Sequence, residues 1–163
     1  MTHTLILALF PVFMIVAAIG DFMTMKIPNW LNVVIGASFF GAAFYVGMPL
    51  EQIGWHVAAG VIVLVAGFGL FATGYIGGGD AKLLAVAAMW LGTAQLMEFL
   101  LIMSVAGGLL AIVMKLWWWV KLETELRGFK WFKSTVKSSI DLPYAVAIAV
   151  GALFAFRHSW WLE

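Results

Sequence analysis

The sequence predicts an all-α, polytopic membrane protein with about six transmembrane helices, and three observations carry that reading. Hydrophobic residues fill 64% of the 163 positions and only 10% are charged, against roughly 25% in a soluble domain. The mean hydropathy is +1.05. The apolar residues fall in long runs without alternation, which excludes strands. A soluble globule of this length leaves about a third of its unfolded surface in water. Nine basic and eight acidic side chains are too few to cover it. Seventeen glycines suit closely packed membrane helices better than water-facing ones. A net charge of +1 gives nucleic acid nothing to hold. Soluble enzymes, disordered tails and nucleic-acid binders are thereby set aside.

The runs fall at about 4–20, 30–48, 54–73, 81–97, 98–119 and 142–160. Each is long enough, or nearly so, to cross roughly 30 Å of hydrocarbon at about 1.5 Å per residue. The first run lacks a basic leading region, so it reads as a span that stays rather than a cleaved signal. No repeat, low-complexity tract or second domain interrupts residues 1–163, apart from a basic loop at about 120–141.

Six spans sort the charges onto two sides. Lys26, Lys82, Lys115, Lys121, Arg127, Lys130, Lys133 and Lys137 share one side, and Arg157 stands on the other. By the positive-inside rule the first side is cytoplasmic and both termini are outside. Within the basic loop Phe129, Phe132, Val136 and Ile140 recur at helical spacing among lysines. That pattern fits a helix lying on the inner membrane face or, equally, a solvated loop.

With no cysteine in the chain, disulfides, thiolate metal sites and cysteine nucleophiles are absent. His3, His56 and His158 are far apart in sequence, near segment ends and without ligand spacing. They read as headgroup-level residues rather than a metal site. Trp30, Trp55, Trp117, Trp118, Trp119, Trp160 and Trp161 lie near span ends and read as interfacial anchors.

Two carboxylates stand apart. Glu51, Glu98, Glu123, Glu125 and Glu163 fall in loops or at ends, and Asp141 suits a helix cap. Asp21 ends the first apolar run, and Asp80 follows three glycines and opens the fourth. An aspartate at the bilayer centre costs roughly 2.5–3.5 kcal/mol, and less near the surface. The first span runs inward and ends at Asp21, whereas the fourth runs outward from Asp80, so both lie at one cytoplasmic depth. At about 4 Å two such charges repel by roughly 4 kcal/mol at an effective dielectric of about 20. A pair so placed holds a single proton: one acid hydrogen-bonds a carbonyl while its neighbour takes a proton from water. Gly77, Gly78 and Gly79 strip the backbone before Asp80 of side chains, which admits another helix or an extended peptide.

Three stretches in order resemble one known family. GGGDAKLLA at 77–85 is similar to the Gly-x-Gly-Asp signature of prepilin peptidases, membrane aspartic proteases that process type IV pilin precursors. DFMTMKIPNWLN at 21–32 resembles that family's other catalytic element, an Asp, a basic residue and Ile-Pro-Asn. LPYAVAIAVG at 142–151 is similar to the Pro-Tyr-containing final span of its small members. The resemblance implies that Asp21 and Asp80 are catalytic and that Gly77, Gly78 and Gly79 form the active-site loop. Lys82, Pro143 and Tyr144 become candidate supporting residues, although a charge-rule anchor suffices for Lys82 and helix entry for Pro143. It further implies no metal or organic cofactor, a prepilin or pseudopilin substrate in the bacterial inner membrane, and a second copy or pilus-assembly proteins as candidate partners. The chain lacks the paired cysteines of the bifunctional, methylating members. It resembles instead the short, peptidase-only members of tight-adherence (Flp) pilus systems. The rival readings are a proton- or ion-coupled carrier, whose site belongs nearer the midplane, and a noncatalytic assembly scaffold.

Overall fold

The computed structural model describes residues 2–125 and 142–162. The described residues are helical, without strands, and form α1 (Thr2–Thr24), α2 (Asn29–Tyr45), α3 (Leu50–Ala72), α4 (Gly78–Glu125) and α5 (Tyr144–Phe156), then a 3-10 turn at Trp160–Leu162. Leu50–Ala72 and Gly78–Trp117 are long and apolar enough to cross a membrane. Val33, Phe44, Val61, Val65, Phe68 and Leu101 are exposed. In water each would be unfavourable by on the order of 1.5–3 kcal/mol relative to burial. Lipid removes that penalty.

Glycine ends the helices where the chain must turn. Gly47 (φ 72°) and Gly74 (φ 79°) follow α2 and α3 in the left-handed region. The next amide reaches back in each case, Met48 N–H to Ala43 O at 2.9 Å and Tyr75 N–H to Leu70 O at 3.0 Å. These bonds satisfy carbonyls that the helix end would otherwise orphan. Pro28, Pro49 and Pro143 stand immediately before α2, α3 and α5, where a missing N–H costs nothing.

α4 covers 48 residues but is two helical limbs broken at Gly92, with φ 77° and ψ −179°. A straight helix would separate Asp80 from Ser104 by roughly 36 Å. The two instead line one cleft with Gly107 and Ala111. The chain therefore doubles back at Gly92, and residues 78–91 and 93–125 form antiparallel limbs.

Gly92 packs directly under His56, where a Cβ would meet the ring at 2.8 Å. The break orphans the last carbonyls of the first limb, and two side chains satisfy them. His56 Nδ1 donates to Met89 O at 2.8 Å, which fixes its tautomer because a carbonyl only accepts. Trp161 Nε1 donates to Trp90 O. Trp90 is fully buried, donates its own Nε1 to Ile35 O at 2.9 Å and stacks on Phe10 at 5.2 Å.

Glycines also set the helix spacing. A Cβ on Gly60 would lie 2.9 Å from Met89 Cβ, and one on Gly151 would lie 2.9 Å from Phe99 O. Such small residues let backbones approach without a hydrophobic driving force. α3 thus runs antiparallel to the first limb, with Gly60 against Met89 and Gly67 against Ala81. α5 packs antiparallel to the second limb, with Gly151 against Met103 and Gly107 against Ala147.

Several expectations need correction. The fourth and fifth runs share α4, and their boundary lies at Gly92 rather than at 97–98. Hydropathy does not mark a glycine within an apolar stretch. α1 continues to Thr24, so Asp21 sits inside its last turn instead of following it. α4 extends to Glu125, which puts Glu98, Glu123 and Glu125 on a helix rather than in loops. α5 has only 13 residues, about 20 Å of helix. His56 and Trp161 are buried partners of the break, not residues at headgroup level. His158 pairs with Glu98 at 3.1 Å. Trp30 and Trp55 are exposed as anchors should be. Asp141 and the stripe Phe129, Phe132, Val136 and Ile140 lie outside the described residues.

Gly92→Ala is expected to destabilise the fold by roughly 2–4 kcal/mol, from a backbone region open essentially to glycine and from the clash with His56. Thermal unfolding of the detergent-solubilised protein measures it. An unchanged midpoint would show that the reversal does not need glycine.

Candidate active site

Opposite the Gly92 end, α1, α2, the first limb of α4 and α5 bring their polar residues together. α1 closes with Met25 N–H on Asp21 O at 2.7 Å. Met25 then adopts φ 52°, an unfavourable conformation for a side-chain-bearing residue. That turn delivers Ile27 against Gly79, where a Cβ would meet Ile27 Cβ at 3.1 Å and Ile27 O at 3.2 Å. A methyl group at 79 would require the Ile27 backbone to give by a few tenths of an ångström. The Ile27–Asn32 segment and the glycine loop, far apart in sequence, are therefore docked backbone to backbone.

Asp21 is 5% exposed, and its Oδ2 accepts the N–H of Ala145 at 3.1 Å. Ala145 lies in the first turn of α5, where helix amides lack intrahelical partners and favour a carboxylate. Pro143 opens that helix and is fully buried. Its place is thus structural as well as local to the site. Asp80 lies in the first turn of α4, and its Oδ2 accepts the N–H of Gly77 at 3.2 Å. Asp21 is bound to Ala145, whose neighbour Tyr144 lines the same cleft as Asp80, so the two acids lie at the same end of the bundle. The sequence-derived pair is thus brought to one end of the bundle.

Asp80 also lines a cleft of about 360 Å³ between the two limbs of α4 and α5. Its walls are mostly apolar or small, among them Leu84, Met103, Gly107, Gly108 and Ile148, with Tyr144 and Ser104 beside them; the Ser104 hydroxyl donates to Leu100 O in its own helix. An extended apolar segment fits such a wall, and one carboxylate faces it. Gly77 and Gly78 hold the approach to Asp80: a Cβ at 77 would lie 2.7 Å from Asp80 Oδ2, and one at 78 would touch the Phe71 ring at 3.4 Å.

Lys82 does not reach either aspartate. Its Nζ donates to Asn29 Oδ1 at 2.8 Å, on the exposed side of the site. Asn32 Nδ2 donates to Gly79 O at 3.3 Å from within. Sequence reasoning passed over Asn32 and the Ala145 amide. The first carried a usable signal, since Asn29 and Asn32 share a face at i, i+3 on an otherwise apolar helix. A backbone donor carries none. Among the described residues no three His, Asp or Glu side chains converge as a metal site would require.

A family model described as the type IV leader peptidase family matches residues 8–112. The matched stretch holds α2, α3, the Gly92 reversal and both aspartates, and it ends before α5. Neither the curated proteins nor the solved structures contain a match to the chain.

Two glycine substitutions should separate. Gly79→Ala is expected to destabilise the protein by about 1–3 kcal/mol, because the Ile27 backbone opposes the added methyl. Gly77→Ala should cost under about 1 kcal/mol, since only the movable end of the Asp80 side chain is in the way. Paired thermal melts measure the contrast; equal shifts would contradict the docking of Ile27 on Gly79.

Proposed function

The chain belongs to the type IV leader peptidase family, and on that premise we propose that it is an aspartic endopeptidase whose catalytic pair is Asp21 and Asp80. The family's activity is removal of leader peptides from prepilins. What carries the proposal is the placement of two carboxylates at one end of an apolar bundle, one of them facing a cleft with apolar walls.

The chemistry follows from that placement. The protonated member of the pair hydrogen-bonds the scissile carbonyl oxygen and makes its carbon more electrophilic. The ionised member takes a proton as water adds to that carbon. The tetrahedral intermediate collapses when the carbon–nitrogen bond breaks and a proton reaches the departing amine. The pair returns to its single shared proton and titrates as a unit. Gly77, Gly78 and Gly79 leave room for the substrate backbone, and Tyr144 lines the same cleft as Asp80.

The substrate class proposed is an Flp-type prepilin or pseudopilin, in keeping with the absence of cysteine from these 163 residues. Its leader junction would meet the pair at the cytoplasmic face of the inner membrane, with its apolar helix lying alongside. The charge distribution supports that side, with Lys26, Lys82 and Lys115 toward the aspartate end and both termini beyond the other face. A carrier would put its carboxylates nearer mid-depth, and a scaffold would not need them.

Asp21→Asn and Asp80→Asn are each expected to lower cleavage by about 10²–10⁴-fold while the protein stays folded in the membrane. Co-expression with a prepilin of the same organism, read by the size of the pilin on a gel, measures this. Normal processing by either variant would end the proposal.

A further inference from the structure

We propose that Asn32 is a positioning residue for cleavage, whose amide fixes Gly79 and, through that peptide plane, the carboxylate of Asp80. The inference rests on the aspartate pair as the catalytic centre. It goes beyond that reading by assigning a task to a residue that touches neither the cleft nor a carboxylate.

Asn32 lies in the first turn of α2 and is 5% exposed. Its Nδ2 donates to Gly79 O at 3.3 Å, and the amide orientation is fixed because a carbonyl only accepts. The Gly79 carbonyl belongs to the same planar peptide as the Asp80 nitrogen. Holding that oxygen sets the plane from which the Asp80 side chain departs. The other end of Asp80 is held by the Gly77 N–H on its Oδ2. Between those two anchors lies a stretch of three glycines, which by itself has the widest conformational freedom of any sequence. On the outer side, Lys82 and Asn29 close a second strap across the same joint.

Stability does not account for an asparagine here. Asn32 Oδ1 is buried with no hydrogen-bond partner among the described residues. A buried acceptor left unmade is unfavourable by about 1–3 kcal/mol, comparable to or larger than the gain from one neutral bond. Leucine has nearly the same shape and would carry neither the bond nor the orphan. An amide retained at a net loss of stability points to geometry at the neighbouring Asp80 as the gain. It also explains why the effect belongs in turnover rather than in binding, since Asn32 is not among the residues lining the cleft.

The test uses the full chain in proteoliposomes with a full-length prepilin of the same organism. Asn32→Leu, Asn32→Ala and Asp80→Asn are compared for kcat, KM and thermal midpoint. The alanine variant keeps the experiment informative if leucine is too crowded to fold. The expected result is a fall in kcat of roughly 10- to 100-fold, the order seen when a reacting group is misplaced by about 1 Å. KM should stay within about threefold, and the midpoint of the leucine variant should be unchanged or higher. A kcat within about twofold of the parent in either folded variant would overturn the inference, as would losses of activity that track a lowered midpoint in both. If Asp80→Asn is inert while Asn32→Leu turns over normally, the asparagine inference alone fails. If Asp80→Asn cleaves normally, the catalytic pair itself fails.

Discussion

The arrangement depends on the reversal of α4 at Gly92. Without it, Asp80 and Ser104 would lie roughly 36 Å apart along one rod, and no cleft would form between the two limbs. A reversal within a helix has one difficulty: the last carbonyls of the incoming limb lose their helical amide partners. His56 and Trp161 supply the missing donors. Their burial, at the end remote from the aspartates, is the condition under which the aspartate end can exist. Gly92 permits the backbone angle, and its bare Cα lets the imidazole sit close enough to reach Met89 O.

At the other end the same economy of side chains serves a different purpose. Asp21 and Asp80 are each held by a backbone N–H, from Ala145 and from Gly77. Main-chain donors at helix first turns are already in place and bring no countercharge. A lysine or arginine paired with either acid would hold it as a carboxylate and oppose the sharing of a proton. Lys82 is kept outward by Asn29 instead. A basic residue close in sequence to Asp80 thus makes its hydrogen bond away from both carboxylates.

How much of this the sequence discloses depends on whether a feature has an energetic cost that composition exposes. Asp21 and Asp80 were legible because a carboxylate beside an apolar run demands an explanation. The long apolar runs were legible because spanning hydrocarbon requires length. Gly92 was not, since one glycine among seventeen looks like any other packing residue until its φ is known. His56 was misread for a related reason. A histidine near a span end is ordinarily solvated, and only the orphaned Met89 carbonyl, itself a consequence of the break, gives it a buried task. The docking of Ile27 on Gly79 rests on Met25 entering the left-handed region, for which a methionine gives no hint. Tyr144 carried its signal only through likeness, and the structure places it on the cleft wall.

The two ends also differ in how they tolerate an unmet hydrogen bond. Around Gly92 the orphaned carbonyls of Met89 and Trp90 find donors and the large rings Phe10, Phe39, Trp90 and Trp161 pack against one another. Beside Asp80, Asn32 leaves an acceptor unmet, Met25 is held at an unfavourable φ, and three successive glycines contribute no side chain. Each feature at the aspartate end is a departure from the most stable choice, and they cluster within one joint between α1, α2 and α4. The first limb of α4, residues 78–91, joins the reversal to this joint. A fold that must keep two acids, a bare backbone and an open cleft in an apolar setting needs such a division. The ring packing is gathered at one end of the first limb, and the acids, the bare backbone and the cleft lie at the other.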